Sequence, residues 1–355
     1  MSREQPPELP DDIPPERVAR LLPLFAESEP QPAPLEVNEY LIRHWCETFE
    51  DANPLYLDAD YARSRSFRGL VAPPASLMTT FAMPFRWPWP PPEGLPRRHV
   101  HYDVKEALGL PVGIISRIDM EFHRPVEVGE RLSISQRLVS VSPVKQTRLG
   151  EGRFWVVERR FWNGDGQLVA TEQLTAFGYG HDAAESSDQP PEGGWSPAVE
   201  EAIQGSRTGY QPPPRRRLRW QDVYQGQELP SLFMPITFLR CVYAASATRD
   251  FSPQHSDPHY ATVRSRTRNI FVNTPFQMGM VSRLLTDWAG PEATVRRIAL
   301  AMRDNICAGD EVRLTGKVSR KYVQDGRHLV DVDVSIMTEH GIASLCEATL
   351  ELPSD

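Results

Sequence analysis

The sequence predicts an α+β fold made of two similar units, each with helices first and an antiparallel sheet after them. The stretch around Asp250 has a counterpart around Asp51, and five of twelve aligned residues are identical at a constant interval of 199 residues. The identical pairs are Asp51 and Asp250, Pro54 and Pro253, Asp58 and Asp257, Tyr61 and Tyr260, and Ala62 and Ala261. In each half, the hydrophobic period also changes from that of helices to the alternation typical of strands. We interpret the chain as an internal duplication.

The composition is that of a globular protein large enough for two domains. The chain has 355 residues, of which 40% are hydrophobic and 24% charged, and its formal net charge is −8 at pH 7. This charge argues against a nucleic-acid protein, and no apolar run reaches the ~20 residues that cross a membrane. The four cysteines form no CxxC or Cys/His cluster, so we expect reduced core thiols, a cytoplasmic location and no metal site.

The N-terminal unit is predicted at residues 36–180, after a Pro-rich arm at residues 1–35 in which a short helix begins at Pro14. A helix at residues 36–49 leads into the first motif, and residues 75–81 are predicted as the central helix of this unit. The Pro- and Trp-rich residues 86–92 suit neither a helix nor a central strand. Strands follow near residues 115–122, 132–135, 154–161 and 168–177.

The C-terminal unit is predicted at residues 218–355, after an acidic, Ser-, Gly- and Pro-rich linker at residues 181–217. An apolar helix at residues 238–247 precedes the second motif, and a central helix at residues 276–288 stops at Gly290. Strands are predicted near residues 295–302, 311–318, 328–337 and 343–352.

Asp250 and His255 are the candidate catalytic residues of the second motif. Pro253 lies between them and disfavours helix, so a carboxylate and an imidazole could project from one turn into one cavity. Either residue alone would more often be a turn or surface residue. In the first motif Tyr56 replaces the histidine, and because Tyr is a poor base at neutral pH we expect a structural role there. His259 is predicted to be a surface residue without a role.

The motif Asp250, Pro253, His255, Asp257 and Ala261, followed by an apolar helix and a curled antiparallel sheet, resembles the MaoC-like, or hydratase 2, family. The resemblance covers residues 36–180 and 218–352. It implies the hotdog fold, in which an antiparallel sheet wraps a long helix, and residues 53–56 and 71–74 are similar to the inactive copy of fused members. The expected fold is therefore a double hotdog whose halves pack as a pseudo-dimer.

The resemblance also implies an activity, because the family hydrates 2-enoyl-CoA thioesters to (3R)-hydroxyacyl-CoA. Neutral His255 could take a proton from water at physiological pH, and Asp250 would hold that water and pass a proton to the α-carbon. The implied reaction needs no metal or redox cofactor, with the CoA thioester as substrate.

One departure from the family concerns the donor to the enolate oxygen. Many members have His-Gly before the central helix, and the Gly N–H is the donor. Here residues 272–275 are Val, Asn, Thr and Pro, which is more similar to the hydratases of steroid side-chain breakdown. We expect N–H groups at Asn273 and Thr274 to stabilise the enolate, helped by the helix dipole.

Substrate and partners follow only in outline. Arg264, Arg266 and Arg268 could bind CoA phosphates, although an exposed basic loop explains them equally well. The resemblance suggests a long or bulky acyl group, with residues 75–81 and 85–89 as candidate walls, and a homodimer of fused chains. A hotdog thioesterase, a non-catalytic acyl-CoA-binding subunit and an acyl-carrier-protein substrate are the alternatives. Thioesterases usually use a carboxylate on the central helix, where Asp287 is the only acid.

Overall fold

The computed structural model describes residues 9–84, 99–180 and 217–354. No helix in these ranges has both the length and the apolar character needed to cross a membrane. Residues 86–92 and nearly all of the predicted linker lie outside the described residues. The α-helices are α1 (Pro15–Leu21), α2 (Glu39–Phe49), α3 (Pro54–Leu57), α4 (Ala59–Ser64), α5 (Val100–Ala107), α6 (Phe238–Thr248) and α7 (Thr274–Ala289). The strands are β1 (Gln31–Glu36), β2 (Val112–Phe122), β3 (Arg131–Val141), β4 (Lys145–Thr147), β5 (Gly150–Trp162), β6 (Leu168–Tyr179), β7 (Leu232–Pro235), β8 (Thr294–Met302), β9 (Glu311–Gln324), β10 (Arg327–Thr338) and β11 (Gly341–Glu351).

One antiparallel sheet runs through both units. Its strand order is β1-β3-β5-β6-β2-β8-β11-β10-β9-β7, with β4 paired to β5 beside this path. The units meet where β2 pairs with β8, with Met120 opposite Ile298. Both of these side chains are fully buried, so the junction lies over the core. Two units of helices plus antiparallel sheet, joined edge to edge, form the predicted double hotdog.

The helices that lead into the two motifs correspond at the interval found in the sequence. Asn38 caps α2 and Thr237 caps α6, each by accepting a backbone N–H three residues on. Both helices end at a residue in the left-handed region, Glu50 at φ 53° and Arg249 at φ 57°. Non-glycine residues adopt this conformation rarely and at a cost. In each unit the left-handed residue turns the chain out of the helix and into the motif.

Helix α7 is the central helix of the molecule. Fifteen of its sixteen residues are buried, as expected for a helix that is hydrophobic on every side. Asn273 caps it by accepting the Phe276 N–H at 3.0 Å. Gly279 faces the ring of Phe49 so closely that a Cβ at this position would collide with the ring. Helix α7 therefore packs directly on α2 of the N-terminal unit.

The N-terminal unit has no equivalent long helix among the described residues, and the prediction of a central helix at residues 75–81 was wrong. A 3₁₀ helix, Pro74–Met78, is followed by turns up to Met83. The chain returns after the undescribed stretch as α5, which the sequence analysis did not predict and which contacts β2, β3 and β5.

The shortened helix has a physical cause in the other unit. The guanidinium of Arg249 donates to the carbonyls of Thr80 and Met83 at 3.2 and 2.8 Å. The Thr80 hydroxyl donates to the Ala247 carbonyl at 2.9 Å. These carbonyls are bonded by a side chain instead of by helical N–H groups, so tertiary contacts hold the segment in turns.

The predicted arm contains ordered structure. The short helix is present as α1, one residue later than predicted. Strand β1 pairs with β3 at the edge of the sheet. An edge strand has a neighbour on one side only, so Pro32 and Pro34, which have no N–H to donate, are tolerated there.

Candidate active site

The fold brings Asp250 and His255 together. Asp250 follows Arg249, the left-handed residue that ends α6, and His255 closes a short 3₁₀ helix, Pro253–His255. His255 Nε2 lies 3.5 Å from Asp250 Oδ2. The pairing predicted from the sequence is therefore present in the structure, on a loop that belongs to the C-terminal unit.

Ser252 orients the carboxylate of Asp250. Its hydroxyl donates to Asp250 Oδ1 at 2.7 Å, and its backbone N–H donates to the same atom at 3.3 Å. Burial would raise the pKa of Asp250, but the N–H and the charge of a protonated His255, together with the bonds from Ser252, hold that pKa below its ordinary value. Asp250 is therefore ionised at neutral pH, with Oδ1 engaged and Oδ2 facing the imidazole.

A backbone carbonyl sets the tautomer of His255. The imidazole is 5% exposed, and its Nδ1 lies 2.7 Å from the carbonyl oxygen of Phe271. A carbonyl only accepts, so Nδ1 carries the hydrogen and donates. In the neutral ring the lone pair is then on Nε2, the atom that faces Asp250.

The facing atoms of the two side chains are both basic. A lone pair and a carboxylate oxygen at 3.5 Å do not bond to each other directly, but a water or a shared proton between them would satisfy both. The pair is consequently suited to holding one water and accepting a proton from it.

Helix α7 begins at Thr274, three residues after Phe271, whose carbonyl orients His255. The Asn273 side chain caps the helix and donates to the Thr248 hydroxyl at 2.7 Å, so it has a structural task. Pro275 has no N–H, and the Phe276 N–H is taken by the cap. This leaves the Thr274 N–H as the donor of the first turn that bonds to none of the described residues.

The three arginines named from the sequence have different environments. Arg264 and Arg266 are exposed. Arg268 forms a bidentate ion pair with the buried Asp310, at 2.7 and 2.9 Å, and the hydrogen bonds that it donates to Asp310 raise the pKa of Arg268 further. Arg268 thus ties the loop before α7 to the turn before β9, and CoA binding remains a prediction for all three.

One group of side chains within the described residues has the spacing of a metal site. Asp310, Glu339 and His340 bring one ligand atom each to within 4.8 Å of one another. Both oxygens of Asp310 already accept hydrogen bonds from Arg268. A cation would have to displace that guanidinium, so this group does not favour a metal.

The equivalent place in the N-terminal unit lacks a pair of bases. Asp51 is 4% exposed, and its carboxylate accepts the Asn53 N–H at 3.0 Å. Burial raises the pKa of Asp51 to about 6. Burial also raises the pKa of Tyr56, which stands at the position of His255, well above its usual value. The phenol stays neutral, in agreement with the structural role expected for Tyr56.

The sequence analysis missed the groups that orient the catalytic pair. A serine two residues after an aspartate is a known turn signal, so Ser252 could have been found. The Phe271 carbonyl lies sixteen residues from His255. Because this contact arises only on folding, no local pattern indicates it.

Comparison with known proteins gives relatives for both units. The model of the FAS1-like dehydratase domain region matches residues 27–172. A probable enoyl-CoA hydratase alpha subunit of Thermomonospora curvata is 33% identical over 165 residues, which are 46% of this chain and 51% of that protein. The 3-oxo-4,17-pregnadiene-20-carboxyl-CoA hydratase beta subunit of Mycobacterium tuberculosis is 35% identical over 129 residues, which are 36% of this chain and 93% of that protein. The chain thus spans about half, or less, of the alpha subunits it matches.

Solved structures resemble the whole chain. A MaoC-like dehydratase superposes with a TM-score of 0.68 at 18% identity, covering 93% of this chain and 98% of that one. A conserved hypothetical protein from M. tuberculosis, described as having a double hotdog fold, gives a TM-score of 0.59 at 13% identity, with coverages of 91% and 96%. At these identities the likeness concerns the fold, and it confirms the predicted double hotdog.

Proposed function

The chain belongs to the MaoC-like hydratase family, and from this premise we propose that it is a 2-enoyl-CoA hydratase that adds water across the α,β double bond of a thioester. The observation that carries the proposal is the geometry of the catalytic pair. In its neutral form His255 turns the Nε2 lone pair toward Asp250 Oδ2 at 3.5 Å, and the opposite edge of each side chain is already bonded.

In the proposed reaction, one water lies between Asp250 Oδ2 and His255 Nε2. His255 takes a proton as the water oxygen bonds to the β-carbon, and the π electrons move to the thioester to form an enolate. The proton then passes from His255 Nε2 to Asp250 Oδ2 and from Asp250 to the α-carbon, so both side chains return to their starting states. Atoms and charge balance without an added reagent, and dehydration is the same path in reverse.

The start of α7 would stabilise the enolate. Its Thr274 N–H has no bond to the described residues, and the positive end of the helix dipole adds to it. Asn273 contributes indirectly, since its cap and its bond to Thr248 hold the first turn in place. These are our proposed roles for the two residues.

A long or bulky acyl group and (3R) stereochemistry are part of the proposal. The M. tuberculosis relative is named for a pregnadiene-carboxyl-CoA substrate. The bonds from Arg249 to Thr80 and Met83 place the turns after the short 3₁₀ helix beside the catalytic loop, where they could line the acyl path. Arg264 and Arg266 are the exposed candidates for CoA phosphates.

The assembly and location of the protein are proposals too. We propose a homodimer of fused chains, although relatives named as alpha and beta subunits make a mixed complex the other possibility to test. Four buried, unpaired cysteines support a reducing, cytoplasmic setting.

The thioesterase alternative receives no support from Asp287. This carboxylate pairs with Arg283 at 3.2 Å, and burial raises its pKa. It lies near the far end of α7, roughly 20 Å from Thr274 at about 1.5 Å per residue. An attacking water at Asp287 would be far from the catalytic pair.

The test follows the loss of conjugated-thioester absorbance on 2-enoyl-CoAs from crotonyl to steroid side-chain thioesters. Asp250→Asn and His255→Ala should each lower kcat by about 10²–10⁴-fold, since each removes a proton-transfer group. His259→Ala, an exposed imidazole four residues on, is the matched control and should keep the wild-type rate. Variants that match the wild type would show the pair to be structural, and release of free CoA thiol would indicate a thioesterase.

A further inference from the structure

A cavity of about 330 Å³ lies between the N-terminal unit and the end of α7, at the position in that unit that corresponds to the catalytic site. Tyr56, which lines it, is the counterpart of His255. Ala72, also in its wall, corresponds to Val272. The Ala72 N–H donates to the Val126 carbonyl at 2.8 Å, and the Val272 N–H donates to the Ile306 carbonyl at 3.0 Å, each just before the turn that leads to the next strand. The unit has lost the catalytic pair but has kept an open cavity where a substrate would lie.

The cavity has the size and walls of a ligand site. Pockets that hold small molecules begin at about 300 Å³ and are lined mainly by apolar side chains with a few polar groups. Here the apolar walls include Leu77, Phe122 and Val295, and the polar groups include Asn53 and Thr286. An apolar chain fits this interior better than a charged group does.

The mouth of the cavity carries positive charge. Glu292 lines the cavity and accepts ion pairs from Arg65 at 2.7 Å and from Arg217 at 2.6 Å. Both arginine side chains are about half exposed, at 42% and 54%. Two guanidinium groups share one carboxylate, so this group of described residues has a net charge of +1. An apolar interior behind a cationic mouth suits an amphiphile with an acidic head.

The cavity is separate from the catalytic site. Thr286 lines it near the end of α7, whereas the catalytic loop lies at the start of that helix. The twelve residues between Thr274 and Thr286 span roughly 18 Å at about 1.5 Å per residue. The cavity also has its own exposed rim at Arg65.

We propose that this cavity is a second, non-catalytic site that binds an acyl chain with an acidic head, either a free carboxylate or the CoA of an acyl thioester. The chain would lie against the apolar walls, and the head would meet Arg65 and Arg217. Tyr56, as a neutral phenol in place of an imidazole base, leaves the bound molecule unreacted. The proposal does not depend on hydratase activity, because it concerns binding alone.

The experiment is calorimetric titration of the full chain with octanoate and with octanoyl-CoA, neither of which has a double bond to hydrate. Wild type should bind octanoate, octanoyl-CoA or both in this cavity. Binding of octanoate identifies a free acid as the occupant, and binding of octanoyl-CoA alone identifies a thioester. Ala293→Phe, which places a ring in the cavity, should remove one equivalent. Arg65→Ala should weaken the same equivalent about tenfold, through loss of a half-exposed positive charge at the mouth of the cavity.

Arg63→Ala is the matched control, because Arg63 lies in the last turn of α4, two residues before Arg65, and pairs with Asp60 instead of Glu292. It should bind as wild type does. Two results would overturn the proposal: a wild type that binds neither octanoate nor octanoyl-CoA, or an unchanged number and affinity of sites in both Ala293→Phe and Arg65→Ala. A protein without hydratase activity would still give a clear answer here, so the two proposals fail independently.

Discussion

At the scale of single residues, Asp250 and His255 are each oriented by a hydrogen bond on the side that faces away from the other residue. Ser252 takes one oxygen of Asp250, and the Phe271 carbonyl takes one nitrogen of His255. The sequence could predict that Asp250 and His255 come together because their spacing and the proline between them are local. It could not predict the tautomer of the imidazole, because the carbonyl that decides it comes from another part of the chain.

Substitution of Ser252 should raise the pKa of Asp250. In wild type the hydrogen bonds from Ser252 help to hold this pKa below its ordinary value. Ser252→Ala removes the bond from the hydroxyl, so the Asp250 carboxylate should become protonated at higher pH than in wild type. The measurement is the pH titration of the Asp250 carboxyl carbon by ¹³C NMR. Ser256→Ala, an exposed serine in the same loop, should leave this titration unchanged, and an unchanged titration in Ser252→Ala would contradict the role of Ser252.

At the scale of elements, two apolar stretches of similar appearance have different structures. The prediction for α7 was right because its own sequence supplies a cap at Asn273, sixteen helical residues and a stop at Gly290. The stretch at residues 75–81 is short, contains β-branched threonines, and has its carbonyls bonded by Arg249. Apolar periodicity cannot distinguish these cases, since the deciding side chain lies in the other unit.

The contact between α7 and α2 makes Gly279 a sensitive position. Ala favours helix over Gly by about 1 kcal/mol, but its Cβ would collide with the ring of Phe49, and overpacking costs about 1–3 kcal/mol. We expect Gly279→Ala to lower the free energy of unfolding by up to about 2 kcal/mol in a denaturant titration.

Ser282→Ala on the same helix is the matched control. The Ser282 hydroxyl is buried and bonds to none of the described residues, so its removal should leave stability unchanged or raise it. An increase in stability for Gly279→Ala would mean that α2 can move away from α7 without cost.

At the scale of the whole molecule, the two units share their structure instead of merely touching. The sheet is continuous through β2 and β8, where Arg297 forms a bidentate pair with Asp119. Arg240 pairs with Glu50 across the units at 2.7 Å. The duplication was visible in the sequence, and it led to the correct fold. The domain boundaries at residues 36–180 and 218–355 remain a prediction.

Such sharing predicts that the two units unfold together. Hydrogen exchange followed by mass spectrometry should give the same free energy of opening for the central parts of β5 and β10, which lie in different units. Far-UV circular dichroism and tryptophan fluorescence should show coincident denaturant transitions. Exchange of β5 at a free energy several kcal/mol below that of β10 would show that the N-terminal unit opens alone.

The shortened helix of the N-terminal unit has a consequence for how the protein can change. In a two-fold homodimer every substitution occurs twice, because both subunits are encoded once, so a change that benefits one site also alters the other. The fused chain is free of this constraint. Arg249 can hold the Thr80 turns because its counterpart, Glu50, is a different residue facing a different partner. In the fused chain, two residues that would be identical in a homodimer are separate positions, and selection can act on each of them independently.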